Sequence, residues 1–112
     1  MSEIVVTRND QGRTIEVHPD DVIVLRLDEN LTTGHSWELE PTDSSVIELI
    51  DSTHTAAPAI AMGQGGVRTV RFAARAAGSR DVGLRLRRPW EPPDNALDRF
   101  DVTVRVRTEA GR

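Results

Sequence analysis

The chain has 112 residues, 38% of them apolar, and a formal net charge of −4. That length suits one domain, residues 1–112, burying roughly two-thirds of its extended-chain surface. The negative balance argues against nucleic acid or a membrane as partner, because both need a cationic face. There is no cysteine, which excludes a disulfide framework, a thiol nucleophile and a Cys-based zinc site.

The start, Met1-Ser2-Glu3-Ile4, has no basic region followed by an apolar stretch. No signal peptide is therefore visible, and a cytoplasmic location is expected unless a leader has been removed.

In chain order, period-2 patterning dominates and no helical repeat is sustained. Ile15 and Val17 alternate with Thr14 and Glu16, giving strand A (13–17), which Pro19 ends. Residues 22–27, VIVLRL, form a nearly continuous apolar run suited to a central strand B (21–27). Strand C (37–40) alternates from Trp37 and stops at Pro41, and strand D (46–51) contains the short run VIELI. Strand E (67–73) directs Val70 and Phe72 to one side, and strand F (81–87) does the same with Val82, Leu84 and Leu86. Strand G (99–107) sets Phe100, Val102, Val104 and Val106 against Asp101, Thr103, Arg105 and Arg107. An additional strand is available at Ile4–Thr7. Seven or eight short strands separated by turn signals predict an all-β, immunoglobulin-like antiparallel sandwich.

The A–B, C–D and E–F connections are short. The B–C, D–E and F–G connections are longer, roughly nine to fifteen residues, a length that usually carries function. If successive strands run antiparallel, those three loops share one pole, as binding loops do in immunoglobulin-type sandwiches.

Each of the three loops has an unusual composition. Asn30-Leu31-Thr32-Thr33-Gly34-His35 holds two hydroxyls and a glycine that admits close backbone approach. Gly63-Gln64-Gly65-Gly66 follows Ala56–Met62, a stretch too apolar for a simple solvated linker. Arg88-Pro89-Trp90 precedes Glu91-Pro92-Pro93, so prolines stiffen the loop that carries Trp90. Trp and Arg are common interface anchors, and a contact role is expected for Trp90. Trp37, at the start of strand C, reads as a core anchor.

No catalytic centre emerges. His18, His35 and His54 lack metal-ligand spacing, and His18 falls on the opposite pole from the other two. Ser36 beside His35 has no nucleophile-elbow context. The expectation is a protein that is not an enzyme, with no metal, no cofactor and no catalytic residue.

The order TTG, then GxGG, then RPW on an all-β chain of this length resembles the chagasin-type inhibitors of cysteine peptidases. The resemblance implies an immunoglobulin-like sandwich that blocks the active-site cleft of papain-family peptidases reversibly and without a covalent bond, and nothing in the sequence demands more than a monomer. It assigns peptidase contact to Thr32, Thr33 and Gly34, to Gly63, Gly65 and Gly66, and to Arg88, Pro89 and Trp90, and the loop neighbours Asn30, Leu31, His35 and Gln64 are expected to join them. The B–C loop would approach the catalytic cysteine, with the other two gripping the cleft on either side. Two positions depart from the family pattern: Leu31 replaces a proline, and His35 replaces an aromatic residue. The alternative is a non-inhibitory immunoglobulin-like module that recognises a protein or a glycan through the same loops.

Overall fold

The computed structural model of the chain describes residues 2–30, 33–56 and 65–108. Eight strands follow in chain order: β1 (Glu3–Val6), β2 (Thr14–Val17), β3 (Val22–Glu29), β4 (Ser36–Leu39), β5 (Ile47–Ala56), β6 (Gly66–Ala74), β7 (Gly78–Arg87) and β8 (Asp98–Val106). They form two four-stranded sheets, ordered β1-β3-β6-β5 and β2-β8-β7-β4. The sandwich expected from the alternation is present, and β3, the apolar run, lies inside its sheet between β1 and β6.

The sheets are mixed where the sequence reading expected antiparallel pairing throughout. β1 runs parallel to β3, and β2 runs parallel to β8. The cause is that the chain changes sheets twice near its start. A 3-10 turn at Arg8–Asp10 carries it from the edge of one sheet to the edge of the other. A strand arriving from across the sandwich is not held to its neighbour by a hairpin, so parallel pairing is open to it. The two true hairpins, β5–β6 and β7–β8, are antiparallel.

Inward positions follow the alternation closely. Leu25, Leu27, Val70, Phe72, Val82, Leu84, Phe100, Val102, Val104 and Val106 are all buried in one cluster between the sheets. Trp37 joins that cluster, as expected of a core anchor. The outward positions carry ion pairs, including Arg71–Asp51, Arg75–Glu48, Arg85–Glu40 and Arg107–Glu16. Pairs this exposed contribute little stability each and serve mainly as a solvated face.

The strand limits differ most in β5, which continues to Ala56 through the polar run Asp51-Ser52-Thr53-His54-Thr55. As an edge strand it has only β6 beside it, so a weakly apolar sequence suffices. A register shift between Leu49 and Asp51 places Ile50 in a bulge. That bulge lies on the open edge, where both Leu49 and Ile50 are half exposed, and such a kink discourages pairing with another sheet.

At the pole of the short turns, the buried carboxylate of Asp21 accepts the backbone N–H of Ser2 at 3.0 Å and that of His18 at 2.9 Å. This ties β1 to the β2–β3 turn. Truncating the fully buried Phe100 to Ala should cost about 3–5 kcal/mol. Leu49→Ala on the exposed edge should change stability by no more than about 0.5 kcal/mol, and urea denaturation of the two variants measures the contrast.

Candidate functional site

The pole opposite Asp21 gathers the three connections singled out in the sequence. Glu29 at the end of β3 lies opposite Gly66 at the start of β6, and Ala56 at the end of β5 lies opposite the same Gly66. In the other sheet, Ser36 at the start of β4 lies opposite Arg87 at the end of β7. The B–C loop is therefore residues 30–35, the D–E loop 57–65 and the F–G loop 88–97. The B–C connection is shorter than expected, because β3 runs two residues beyond strand B, to Glu29 rather than residue 27, and β4 starts at Ser36. Leu31, Thr32, Gly63 and Gln64, together with residues 57–62, lie outside the described residues.

Local hydrogen bonds close the B–C loop. Thr33 Oγ1 donates to the carbonyl of Asn30 at 3.0 Å and accepts the backbone N–H of His35 at 3.3 Å. Nδ1 of His35 lies 3.0 Å from the same hydroxyl. With the hydroxyl proton committed to Asn30, Nδ1 is the donor in that contact. His35 thus turns back onto its own loop, and the hydroxyl-mediated turn restrains a loop whose position 31 is leucine rather than proline.

The F–G loop is fastened to the B–C loop by a side chain and by packing. Nε of Arg88 donates to the carbonyl of Thr33 at 3.0 Å. Gly34 has φ of +83°, and a β-carbon there would lie 2.7 Å from Cη2 of Trp90, so the indole rests against bare backbone. The rest of Trp90 faces solvent, 72% exposed. Arg87 anchors the base of this loop, pairing with Glu38 at 2.8 Å and donating to the carbonyl of Glu91. Leu97 N–H closes the loop on the carbonyl of Leu86 at 2.7 Å.

Gly65, the one described residue of the D–E connection, meets the start of the B–C loop. Gly65 has φ of +78°, and a β-carbon there would sit 2.9 Å from Cα of Asn30 and from the Glu29 carbonyl. Of the residues assigned by sequence, Asn30, Thr33, Gly34, His35, Gly65, Gly66, Arg88, Pro89 and Trp90 are described, and all lie at this pole. The described B–C residues touch Gly65 at Asn30, and Arg88 and Trp90 at Thr33 and Gly34.

Beneath the loops is a buried charge that the sequence reading missed. Glu29 is 2% exposed, and its carboxylate accepts the backbone N–H of Trp37 at 2.6 Å. It also contacts Nδ1 of His54 at 2.7 Å and accepts Nε of Arg68 at 3.0 Å. Burial pushes the Glu29 carboxyl up, but the Trp37 N–H and the Arg68 and His54 side chains outweigh it, holding its pKa below the ordinary glutamate value. The signal was present in the alternation itself. Continuing Leu25-x-Leu27 by one step puts Glu29 on the inward face, and an inward carboxylate demands partners.

The Thr33 hydroxyl gives its proton to a carbonyl, not to a base, and Trp90, Pro89 and the glycines carry no acid–base function. Among the described residues no group of His, Asp or Glu is placed to hold a metal ion. The described residues bring bare backbone at Gly34 and Gly65 to this pole, with the exposed Trp90 ring beside Gly34.

Two outcomes follow from this geometry. Gly34→Ala forces a side chain into positive φ and against the indole, and it should lower stability by about 1–2 kcal/mol while altering Trp90 fluorescence. Glu29 has a folded pKa below its unfolded value, so its stabilisation is complete above pH 4.5 and is lost as pH falls through the folded pKa. The stability gap between wild type and Glu29→Gln should then narrow on acidification below pH 4.5, as read by denaturant titration across pH.

Comparisons with known proteins give the family and the fold. The family model for the chagasin family peptidase inhibitor I42 matches residues 16–104. Chagasin of Trypanosoma cruzi is 27% identical over 107 residues, covering 90% of this chain and 96% of that protein. The crystal structure of EhICP2, a cysteine protease inhibitor from Entamoeba histolytica, superposes with a TM-score of 0.82 at 23% identity, covering 96% of this chain and 97% of that one. The structure of PbICP-C in complex with falcipain-2 shares the fold, with a TM-score of 0.62 at 16% identity and 96% and 100% coverage. By the extent of the family match, spanning most of the sandwich and all three loops, this chain belongs to the chagasin family of peptidase inhibitors.

Proposed function

We propose that this protein is a reversible, non-covalent inhibitor of papain-like cysteine peptidases, acting as a monomer through the loops 30–35, 57–65 and 88–97. The observation that carries the reading is that the described residues of all three connections touch one another at one pole. The B–C loop touches Gly65 on one flank and takes the Arg88 hydrogen bond and the Trp90 ring on the other. Such a ridge fills a cleft without offering an extended peptide to cut. PbICP-C is bound to falcipain-2 in its solved complex, which supports the same class of partner for this chain.

The mechanism needs no chemistry from the inhibitor. Glycine at 34 and 65 lets backbone approach a cleft closely, and the loop-to-loop contacts limit the entropy lost on docking. Trp90, exposed and backed by Gly34, is the anchor that gains most from burial against a partner. A protein acting this way is not an enzyme, and absence of cysteine spares it thiol exchange with its target.

Titration against papain measures the proposal directly, and loss of peptidase activity with a one-to-one end point is expected. Trp90→Ala should weaken inhibition by about tenfold or more, corresponding to at least ~1.4 kcal/mol, with the melting temperature nearly unchanged because the ring is largely solvated. No inhibition by the wild-type protein at micromolar concentration would sink this reading.

A further inference from the structure

The inference below deepens the inhibitor reading and rests on it. Glu29, His54 and Arg68 fall outside the three loop motifs, and nothing in a cleft-filling mechanism requires a buried carboxylate. We propose that Glu29 is a positioning residue that sets the B–C and D–E loops relative to each other, and that its effect on binding is separable from its effect on stability.

The placement of its partners carries the proposal. Glu29 is the last residue of β3, from which the B–C loop departs, and Trp37 is the second residue of β4, to which that loop returns. The Trp37 N–H donates to Glu29 Oε2, so one carboxylate spans the entry and exit of the B–C loop. The indole N–H of Trp37 reinforces the span by donating to the carbonyl of Asp28 at 2.8 Å.

The other carboxylate contacts reach the D–E loop. His54 is near the end of β5, which leads into that loop, and Arg68 is near the start of β6, which leaves it. Both lie against Oε1 of Glu29, His54 at 2.7 Å and Arg68 at 3.0 Å. Arg68 further extends to Ser52 Oγ at 3.4 Å, on the same strand as His54. The four strand ends that carry the two loops therefore converge on one side chain. Trp37 brings the second sheet into the same node, since β4 and β3 belong to different sheets.

The reach of this node into the loops is short. Gly66 packs against the His54 ring, with a hypothetical β-carbon 2.9 Å from Nε2, and Gly65 lies against the Glu29 carbonyl. A shift of the carboxylate is thus transmitted to backbone that faces the partner. A merely stabilising ion pair would be replaceable by apolar groups of similar volume, which often leave stability intact. A positioning carboxylate is not replaceable in that way. It accepts from a backbone N–H and two side chains at once, and neither an amide nor a methyl group accepts all three.

The experiment compares wild type, Glu29→Gln and Glu29→Gln/Arg68→Met in melting temperature, papain inhibition, and the backbone amide NMR shifts of Asn30, Gly34 and Gly65. Glu29→Gln should lose stability, because Arg68 keeps a charge without its partner. The double variant should regain most of the melting temperature while inhibition stays about tenfold or more weaker and the loop amide shifts remain displaced. Recovery of inhibition and of the wild-type shifts together with the melting temperature would overturn the proposal. His54→Asn leaves the Glu29–Arg68 pair in place and gives a folded control. It should displace the Gly65 amide and weaken inhibition severalfold, and wild-type values for both would also count against the proposal. The amide shifts need no peptidase, so they decide the positioning role even if wild type leaves papain untouched.

Discussion

A carboxylate in an apolar interior is tolerable only if donors surround it, and in this protein that requirement organises one end of the sandwich. Glu29 continues the inward row of β3, so its side chain enters the core rather than the solvent. Leaving it there unpaired would cost several kcal/mol in effective desolvation. The chain meets the demand with a backbone N–H from β4, a histidine from β5 and an arginine from β6. Satisfying one charge thereby fixes the mutual positions of four strands from both sheets at the pole where the loops emerge.

Above that node, the loops hold each other through contacts that are individually modest. A hydroxyl closes the B–C turn, a guanidinium clips Thr33 to the F–G loop, and an indole covers a glycine. Each weak contact gains value because the strand ends below are already placed, so little further entropy is lost in forming it. The opposite pole uses the same device on a smaller scale, with Asp21 accepting two backbone N–H groups. The result is a sandwich whose ends are pinned by carboxylates and whose middle is held by apolar burial.

This architecture suits a protein that acts by shape. A binding edge that adapted freely would meet a peptidase as a substrate does, whereas an edge braced from beneath can fill a cleft and remain intact. Hydrogen bonds among Asn30, Thr33 and His35 restrain the described part of the B–C loop.

Much of this was legible in the residues. Strict alternation identified the inward faces of β6, β7 and β8, the apolar run identified the interior strand β3, and counting strands placed the three loops at one pole. Those features are local: a period of two and a turn signal mean the same thing wherever a strand sits. Trp37 and Trp90 were also separable, because a Trp opening an alternating strand and a Trp between prolines face different constraints. The tertiary structure alone decided the parallel pairing of β1 with β3 and of β2 with β8, the reach of β5 through a polar run, and the union of Glu29, His54 and Arg68. Pairing partners, edge positions and buried ion pairs depend on residues far apart in the chain meeting across the fold. Glu29 and Arg68 stand 39 positions apart, and only the antiparallel pairing of β3 with β6 makes them neighbours.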